Sequence, residues 1–231
     1  MCCCYIWRLR KINIEIVFQN DLFVVINKPH GLLVHGTDTS NEFTLRDYLI
    51  ESFDVHGIGE NNREGIVHRL DRVTSGLIIC PINLDAFNQL KNNFEKRKIK
   101  KSYKAIIQGS LKSNSGEINL PLIHSVKNRK KREVNKKGRE AITKYTTLTK
   151  NNSHSLLDID LITGRNHQIR AHLEYLKTPI VNDVLYGAKK SALLDQDTIC
   201  LQSYEIEFVL FEKDYKFSIN EPDYFSSIMK M

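Results

Sequence analysis

The apolar runs of this chain are short, and most follow one another through turns too brief to hold a crossover helix. Parallel neighbours need a crossover of a dozen or more residues, so strands spaced this way must pair mainly antiparallel. Asp21–Lys28 (DLFVVINK) is a β-branched and aromatic run closed by Pro29, the pattern of a buried strand. Ile66–Leu70 reads as a strand running into a turn over Asp71–Gly76, with Leu77–Cys80 as the returning strand. Tyr103–Ile107, Lys144–Leu148 and Ser155–Leu161 read as further strands, the last alternating Leu157, Ile159 and Leu161 on one face. Thr44 and Asp47 stand at capping-box spacing before Leu45, Tyr48, Leu49 and Phe53, and Leu84, Phe87, Leu90 and Phe94 mark a second helix. A third helix is expected over His167–Leu176, stopped before Pro179. The expected class is α+β with a largely antiparallel or mixed sheet.

At 231 residues the chain can bury a real core, and 26% charged side chains against 41% hydrophobic ones argue against disorder. Its net charge of +7 calls for an anionic partner, nucleic acid first, a membrane surface or acidic protein second. Two stretches concentrate that charge: Lys96–Lys104, with six Lys or Arg in nine residues, and Lys127–Arg139, with eight in thirteen. Charge of one sign over so short a span repels itself unless an anion neutralises it, so both are expected to contact phosphate, a solvated face being the alternative. Asn128, Asn135 and Gly138 interrupt any helical pattern in the second stretch, which reads as a loop. Five cysteines, three of them consecutive (Cys2–Cys4), make no disulfide framework and no convincing zinc site. No run approaches the ~20 apolar residues of a membrane span. The chain is expected to be cytoplasmic, with no membrane partner.

Two polar runs carry the chemistry. His68-Arg-Leu-Asp-Arg-Val-Thr-Ser-Gly76 puts a carboxylate at a strand end, then a tight turn in which Thr74 and Ser75 can satisfy nearby backbone groups. An aspartate so placed is ordinarily a turn former; Arg69 and Arg72 beside it set this one apart. The second run, Thr163-Gly-Arg-Asn-His-Gln-Ile-Arg-Ala-His-Leu173, gathers two guanidiniums, two imidazoles and two amides near a helix start. Packing does not require that density of polar groups, though a solvated surface helix would also carry it. A metal site does not fit, because His167 and His172 stand five apart with no carboxylate between them.

These residues resemble the RluA-type family of pseudouridine synthases. His68–Gly76 matches its HRLDxxTSG signature at every specified position. Gly164, Arg165, His167, Gln168, Ile169, Arg170, His172 and Leu173 match its GRxHQIRxHL signature likewise. Asn20–His35 resembles the family's opening strand and NKP turn, Lys101–Gly109 its K-x-Y-x-A strand, and Pro179–Gly187 its PIxGDxxYG segment, with Asn182 where glycine is usual. Leu201-Gln-Ser203 stands where leucine, histidine and alanine are common. Members often carry a small RNA-binding domain ahead of this core, for which the residues before the first strand are too few. The resemblance implies one catalytic domain over 15–231, after an extension over 1–14, with a bent sheet flanked by helices and a central active-site cleft.

It also implies the reaction, isomerisation of selected uridines to pseudouridine in ribosomal or transfer RNA, without metal or cofactor, by an enzyme expected to be monomeric. The C1′–N1 bond breaks, the base turns and C1′ joins C5. Asp71 is the catalytic carboxylate, whether it bonds the sugar, attacks the base or takes a proton. Arg165 is expected to be its paired cation. Arg69 is the candidate to enter the gap left by the flipped base, and Tyr103 to stack on the uracil or help remove the C5 proton. His68, Arg72, Thr74, His167, Gln168 and Arg170 are expected to contact RNA. Ile169 and Leu173 wall the pocket or fill the core. Two other classes compete. A catalytically silent RNA binder has no need of Asp71, Tyr103 and Arg165, and a hydrolase would want a metal cluster or a nucleophile–base pair, neither of which is found.

Overall fold

In chain order, the computed structural model forms β1 (Glu15–Gln19), β2 (Phe23–Lys28), α1 (Leu45–Ser52), β3 (Ser75–Pro81), α2 (Leu84–Glu95), β4 (Lys100–Gln108) and β5 (Ser115–Asn119). A hairpin of β6 (Leu122–His124) and β7 (Arg132–Val134) follows, then β8 (Ile142–Lys150), β9 (His154–Leu161), α3 (Gln168–Tyr175), β10 (Leu201–Leu210), β11 (Lys213–Ser218) and α4 (Asp223–Met229). The structure describes residues 13–36, 42–59 and 63–231; Cys2–Cys4 and most of the 1–14 extension lie outside them.

The main sheet runs β1-β2-β3-β10-β4-β9-β8-β5, with β11 added to β10. Among the strands of the described residues only β3 and β10 pair in parallel, through two residue pairs, Ser75–Gln202 and Gly76–Ser203. Beyond Ser203, β10 shifts register against β4 and takes β11 as its other neighbour. The sheet therefore forks at this point, and the fork lies beside the Asp71–Gly76 turn. The result is α+β with a mixed, mainly antiparallel sheet, as the spacing of apolar runs predicts.

β3 is buried along its whole length, so it reads as a continuous apolar run rather than an alternating one. Val24, Ile26, Ile78 and Cys80 pack with Leu45 and Leu49 of α1. Val25, Leu77 and Ile79 pack with Ala86 and Leu90 of α2. Thr44 caps α1 through the expected box: its hydroxyl accepts from Asp47 N–H, and the Asp47 carboxylate accepts from Thr44 N–H. Removing such a cap costs about 1 kcal/mol.

Two expectations change. Ile66–Leu70 is not a strand: Ile66 and Leu70 are buried, but the segment runs as a loop. Its contact with β3 is made by a side chain, the His68 ring accepting Ile79 N–H through Nε2 at 2.9 Å. The second basic stretch is a loop on either side of one short strand, Arg132–Val134, which pairs with Leu122–His124. The Asn128 and Asn135 side chains accept from Lys130 and Lys137 N–H, closing local turns, and the backbone of Arg139 bonds in both directions to Leu122.

Candidate active site

The Asp71–Gly76 turn is held from below by backbone. Thr74 N–H donates to Asp71 C=O, and Gly31 N–H donates to Arg72 C=O at 2.8 Å. The Lys28 ammonium, fully buried, donates to Pro29 O, Leu32 O and, at 3.3 Å, Arg72 O. Burial lowers its pKa to about 7, against the opposing pull of Asp71 and with the Arg72 charge adding. Gly76 has φ +111°, and a Cβ there would stand 2.1 Å from Ser203 O. Glycine is required because the backbone of β10 lies directly against the turn.

The turn opens on a cleft of about 450 Å³ whose walls include Asp71, Arg69, Tyr103, Arg165, His167 and Arg170. Arg170, on the first turn of α3, donates from Nη1 to Asp71 Oδ2 at 3.1 Å. Its Nε and Nη2 donate to Asp183 Oδ2 and Oδ1 at 2.7 and 2.9 Å. Burial alone would lower the guanidinium's pKa, but the hydrogen bonds and charges of Asp183 and Asp71 more than reverse this and hold it charged. His167 Nε2 lies 3.8 Å from the same Asp71 Oδ2. Both neighbours fall on Oδ2, which leaves Oδ1 without a protein donor among the described residues.

The cation paired with Asp71 is thus Arg170, and the expectation for Arg165 is corrected. Arg165 precedes α3, and its Nε donates to Glu140 O at 2.9 Å. It lines the cleft without reaching the carboxylate. The helix start explains the exchange. His167 adopts the left-handed conformation (φ 55°, ψ 21°), and the helix begins after it, carrying Arg170 inward. For a residue with a Cβ that conformation costs about 1–2 kcal/mol, an expense typical of functional sites.

The other site expectations divide. Tyr103 is 5% exposed and lines the cleft, its phenol pushed well above the ordinary range by burial, with a nearby Ser203 hydroxyl opposing. Arg69 is exposed at the rim, with His35 Nε2 at 3.5 Å from Nη1. Thr74 and Ile169 are buried cleft-wall residues. His68 borders the cleft, but its ring stacks on Phe94 and serves β3, so it is engaged structurally rather than free for RNA. Gln168 is likewise used up: its Oε1 accepts from Thr163 Oγ1 and Arg165 N–H, and its Nε2 donates to Ile142 O and Thr143 Oγ1. Leu173 is 1% exposed within the core, away from the cleft wall. Arg72 turns to Glu42 at 2.8 Å instead of into the cleft. His172 is a satisfied core histidine between Thr143 Oγ1 and Leu120 O.

Lys28, Asp183 and Tyr186, whose hydroxyl lies 3.0 Å from His167 Nδ1, support the site and carry no role in the sequence reading. The first stands in the NKP turn and the other two in the Pro179–Gly187 segment, so their positions were marked even though their partners were not. Asn182 in that segment has φ 68°, a conformation asparagine tolerates better than most residues, which accounts for its replacing the usual glycine. Its amide also donates to Asp195 O and Thr198 O and accepts from Ser191 N–H. The first basic stretch is split by strand alternation. Lys101, its ammonium lowered to about 8 by burial, borders the cleft beside Tyr103, while Lys104 turns toward Asp158 and Glu221.

Known proteins share this sequence pattern and this fold. Residues 22–175 match the family described as RNA pseudouridylate synthase. The chain is 36% identical over 220 residues to ribosomal large subunit pseudouridine synthase D of Borreliella burgdorferi, covering 93% of this chain and 67% of that one. It is 34% identical over 229 residues to an uncharacterized RNA pseudouridine synthase of Aquifex aeolicus, covering 94% and 72%. Among solved structures, human RNA pseudouridylate synthase domain containing 4 superposes with a TM-score of 0.73 at 26% identity, covering 91% of this chain and 90% of that chain. No helix among the described residues is long and apolar enough to cross a membrane.

Proposed function

We propose, since this chain belongs to the RNA pseudouridylate synthase family, that it isomerises uridine in structured RNA with Asp71 as the reacting carboxylate. One observation carries the reading: Asp71 stands on the cleft wall with Oδ2 held by Arg170 at 3.1 Å and, among the described residues, no protein donor on Oδ1. A guanidinium locked by a second carboxylate cannot swing away, so the catalytic carboxylate meets the sugar already oriented. Oδ1 is the oxygen that reacts at the ribose, and Arg170 fixes the carboxyl group through Oδ2.

The target base must leave its stack to reach this cleft, at a cost of a few kcal/mol in a duplex and less in a loop. Arg69, exposed at the rim, enters the vacated space. Tyr103 stays a neutral phenol, because burial opposes its ionisation. Its part is therefore to pack on the uracil ring or to act as a neutral hydroxyl, not as a phenolate base. The basic hairpin β6–β7 supplies phosphate contacts around the cleft. The name of the Borreliella relative makes large-subunit ribosomal RNA the first substrate to test, ahead of transfer RNA.

Tritium release from RNA carrying 5-tritiated uridine tests the reading, since the C5 hydrogen must leave when C5 joins the sugar. Wild type is expected to release tritium, while Asp71→Asn binds RNA without releasing it. Near-full release by Asp71→Asn would sink the proposed role of the carboxylate. Salt-sensitive RNA binding with no release by wild type would favour the silent binder.

A further inference from the structure

Tyr186 is the largest fully buried side chain of the site, 1% exposed, and it ends the 3-10 turn Val184–Tyr186 that follows Asp183. Its hydroxyl oxygen lies 2.8 Å from Arg132 N and 3.0 Å from His167 Nδ1. The Arg132 backbone N–H can only donate, so the hydroxyl accepts there. Its single proton has His167 Nδ1 as the one acceptor within hydrogen-bond reach among the described residues, and when it points there the imidazole accepts. An imidazole accepting at Nδ1 and neutral overall carries its hydrogen on Nε2, the nitrogen 3.8 Å from Asp71 Oδ2.

The ring is fixed as firmly as the hydroxyl. The Arg170 guanidinium lies 4.9 Å from its centroid and the Lys131 ammonium 4.8 Å. The His167 ring meets it edge-on at 5.7 Å. The groups facing His167 are Asp71, Arg170, Asp183, Arg132 and Tyr186 itself. Burial, chiefly, holds the imidazole neutral, with Asp71 and Asp183 opposing and Arg170 and Arg132 adding.

We propose that Tyr186 is a positioning residue that fixes His167 as its Nε2–H tautomer, aiming an N–H dipole at the Asp71 carboxylate. This rests on the reading of Asp71 as the reacting group. Arg170 supplies charge and a hydrogen bond to Oδ2, and His167 places a neutral N–H 3.8 Å from the same oxygen, which favours the carboxyl setting that presents Oδ1. The left-handed backbone at His167 is then the conformation that lets its ring reach both Tyr186 and Asp71.

Two measurements on the full chain test it. The first does not depend on activity: ¹⁵N chemical shifts of the His167 imidazole are expected to show a protonated Nε2 and a bare Nδ1 in wild type, and a loss of that single form in Tyr186→Phe. A protonated Nδ1 in wild type overturns the proposal. The second is the single-turnover rate with RNA in the cleft. Tyr186→Phe keeps the ring and both cation contacts. It is expected to lower the rate about tenfold, the scale of one directed hydrogen bond, while RNA affinity changes only a few-fold. His167→Gln, whose Nε2 can stand where the imidazole Nε2 stood, is expected to recover most of the rate lost in His167→Ala. An unchanged rate in Tyr186→Phe, or equal losses in the glutamine and alanine variants, overturns it. If wild type released no tritium while the tautomer was as stated, the reading of Asp71 would fall and the arrangement of His167 would stand.

Discussion

Arg170→Lys keeps a positive charge at the centre of the site but removes the fork that reaches two carboxylates at once. Arg170 uses three nitrogens, two on Asp183 and one on Asp71, and a single ammonium cannot span those positions. The Asp183 side chain is 1% exposed against 15% for Asp71, so the lysine is expected to stay with Asp183, whose desolvation is the greater. Asp71 then loses one charge-assisted hydrogen bond, worth about 1.5–3 kcal/mol, or roughly a 10- to 150-fold fall in single-turnover rate. Arg170→Met goes further and leaves Asp183 buried without a cation, at a cost of about 3–5 kcal/mol. For a chain of this size that lowers the melting temperature by about 6–20 °C. Arg165→Ala forfeits one hydrogen bond to Glu140 O, about 1 kcal/mol, and leaves the Asp71–Arg170 contact intact. Tritium release under single-turnover conditions reads the rates, and thermal unfolding followed by circular dichroism reads the stabilities. A wild-type rate in Arg170→Lys together with an inactive Arg165→Ala would refute the assignment of the paired cation.

Three further outcomes follow from the same geometry. Gly76→Ala should destabilise by about 3 kcal/mol or more, because its Cβ meets the backbone of β10 at 2.1 Å and its φ is positive; a melting temperature within a degree of wild type would contradict the close approach. Asn182→Ala should be less stable than Asn182→Gly by about 1 kcal/mol, the left-handed penalty without the shared loss of the amide bonds, and chemical denaturation of the pair measures it. His68 has its pKa lowered to about 3, by burial first and by Lys101 second, whereas an unfolded histidine titrates near 6.5. Between those values the unfolded chain binds a proton the folded chain refuses. The His68 contribution is therefore complete above about pH 6.5 and is lost as pH falls toward 3, by up to about 1.4 kcal/mol per pH unit. Urea midpoints from pH 4 to 7 should show a shallower slope in His68→Gln; parallel slopes would rule this origin out.

Much of the fold is legible locally. The alternation of Leu157, Ile159 and Leu161, the helical spacing of Leu84 to Phe94 and the Thr44–Asp47 box each report a periodicity or a cap that needs no distant partner. Ile66–Leu70 misleads because its apolar residues are indeed buried, while the backbone pairing that makes a strand is missing. Burial is written in a side chain's own chemistry; pairing depends on what stands alongside.

The same division runs through the site. From the sequence alone, the composition and the two matched signatures determined that Asp71 would stand at a turn, that arginines would surround it, and that an RNA-modifying family was the place to look. They could not tell which of two arginines five residues apart meets the carboxylate. That was decided by the start of α3 after His167, which leaves Arg165 outside the helix and carries Arg170 to an aspartate 99 residues earlier in the chain. Asp183 and Tyr186 acquire their partners in the same way, through the loop after α3 folding back onto it. Caps, turns and periodic faces are set by interactions within a few residues, but a contact between distant segments depends on where the sheet register and the helix start bring them, and only the tertiary structure decides that.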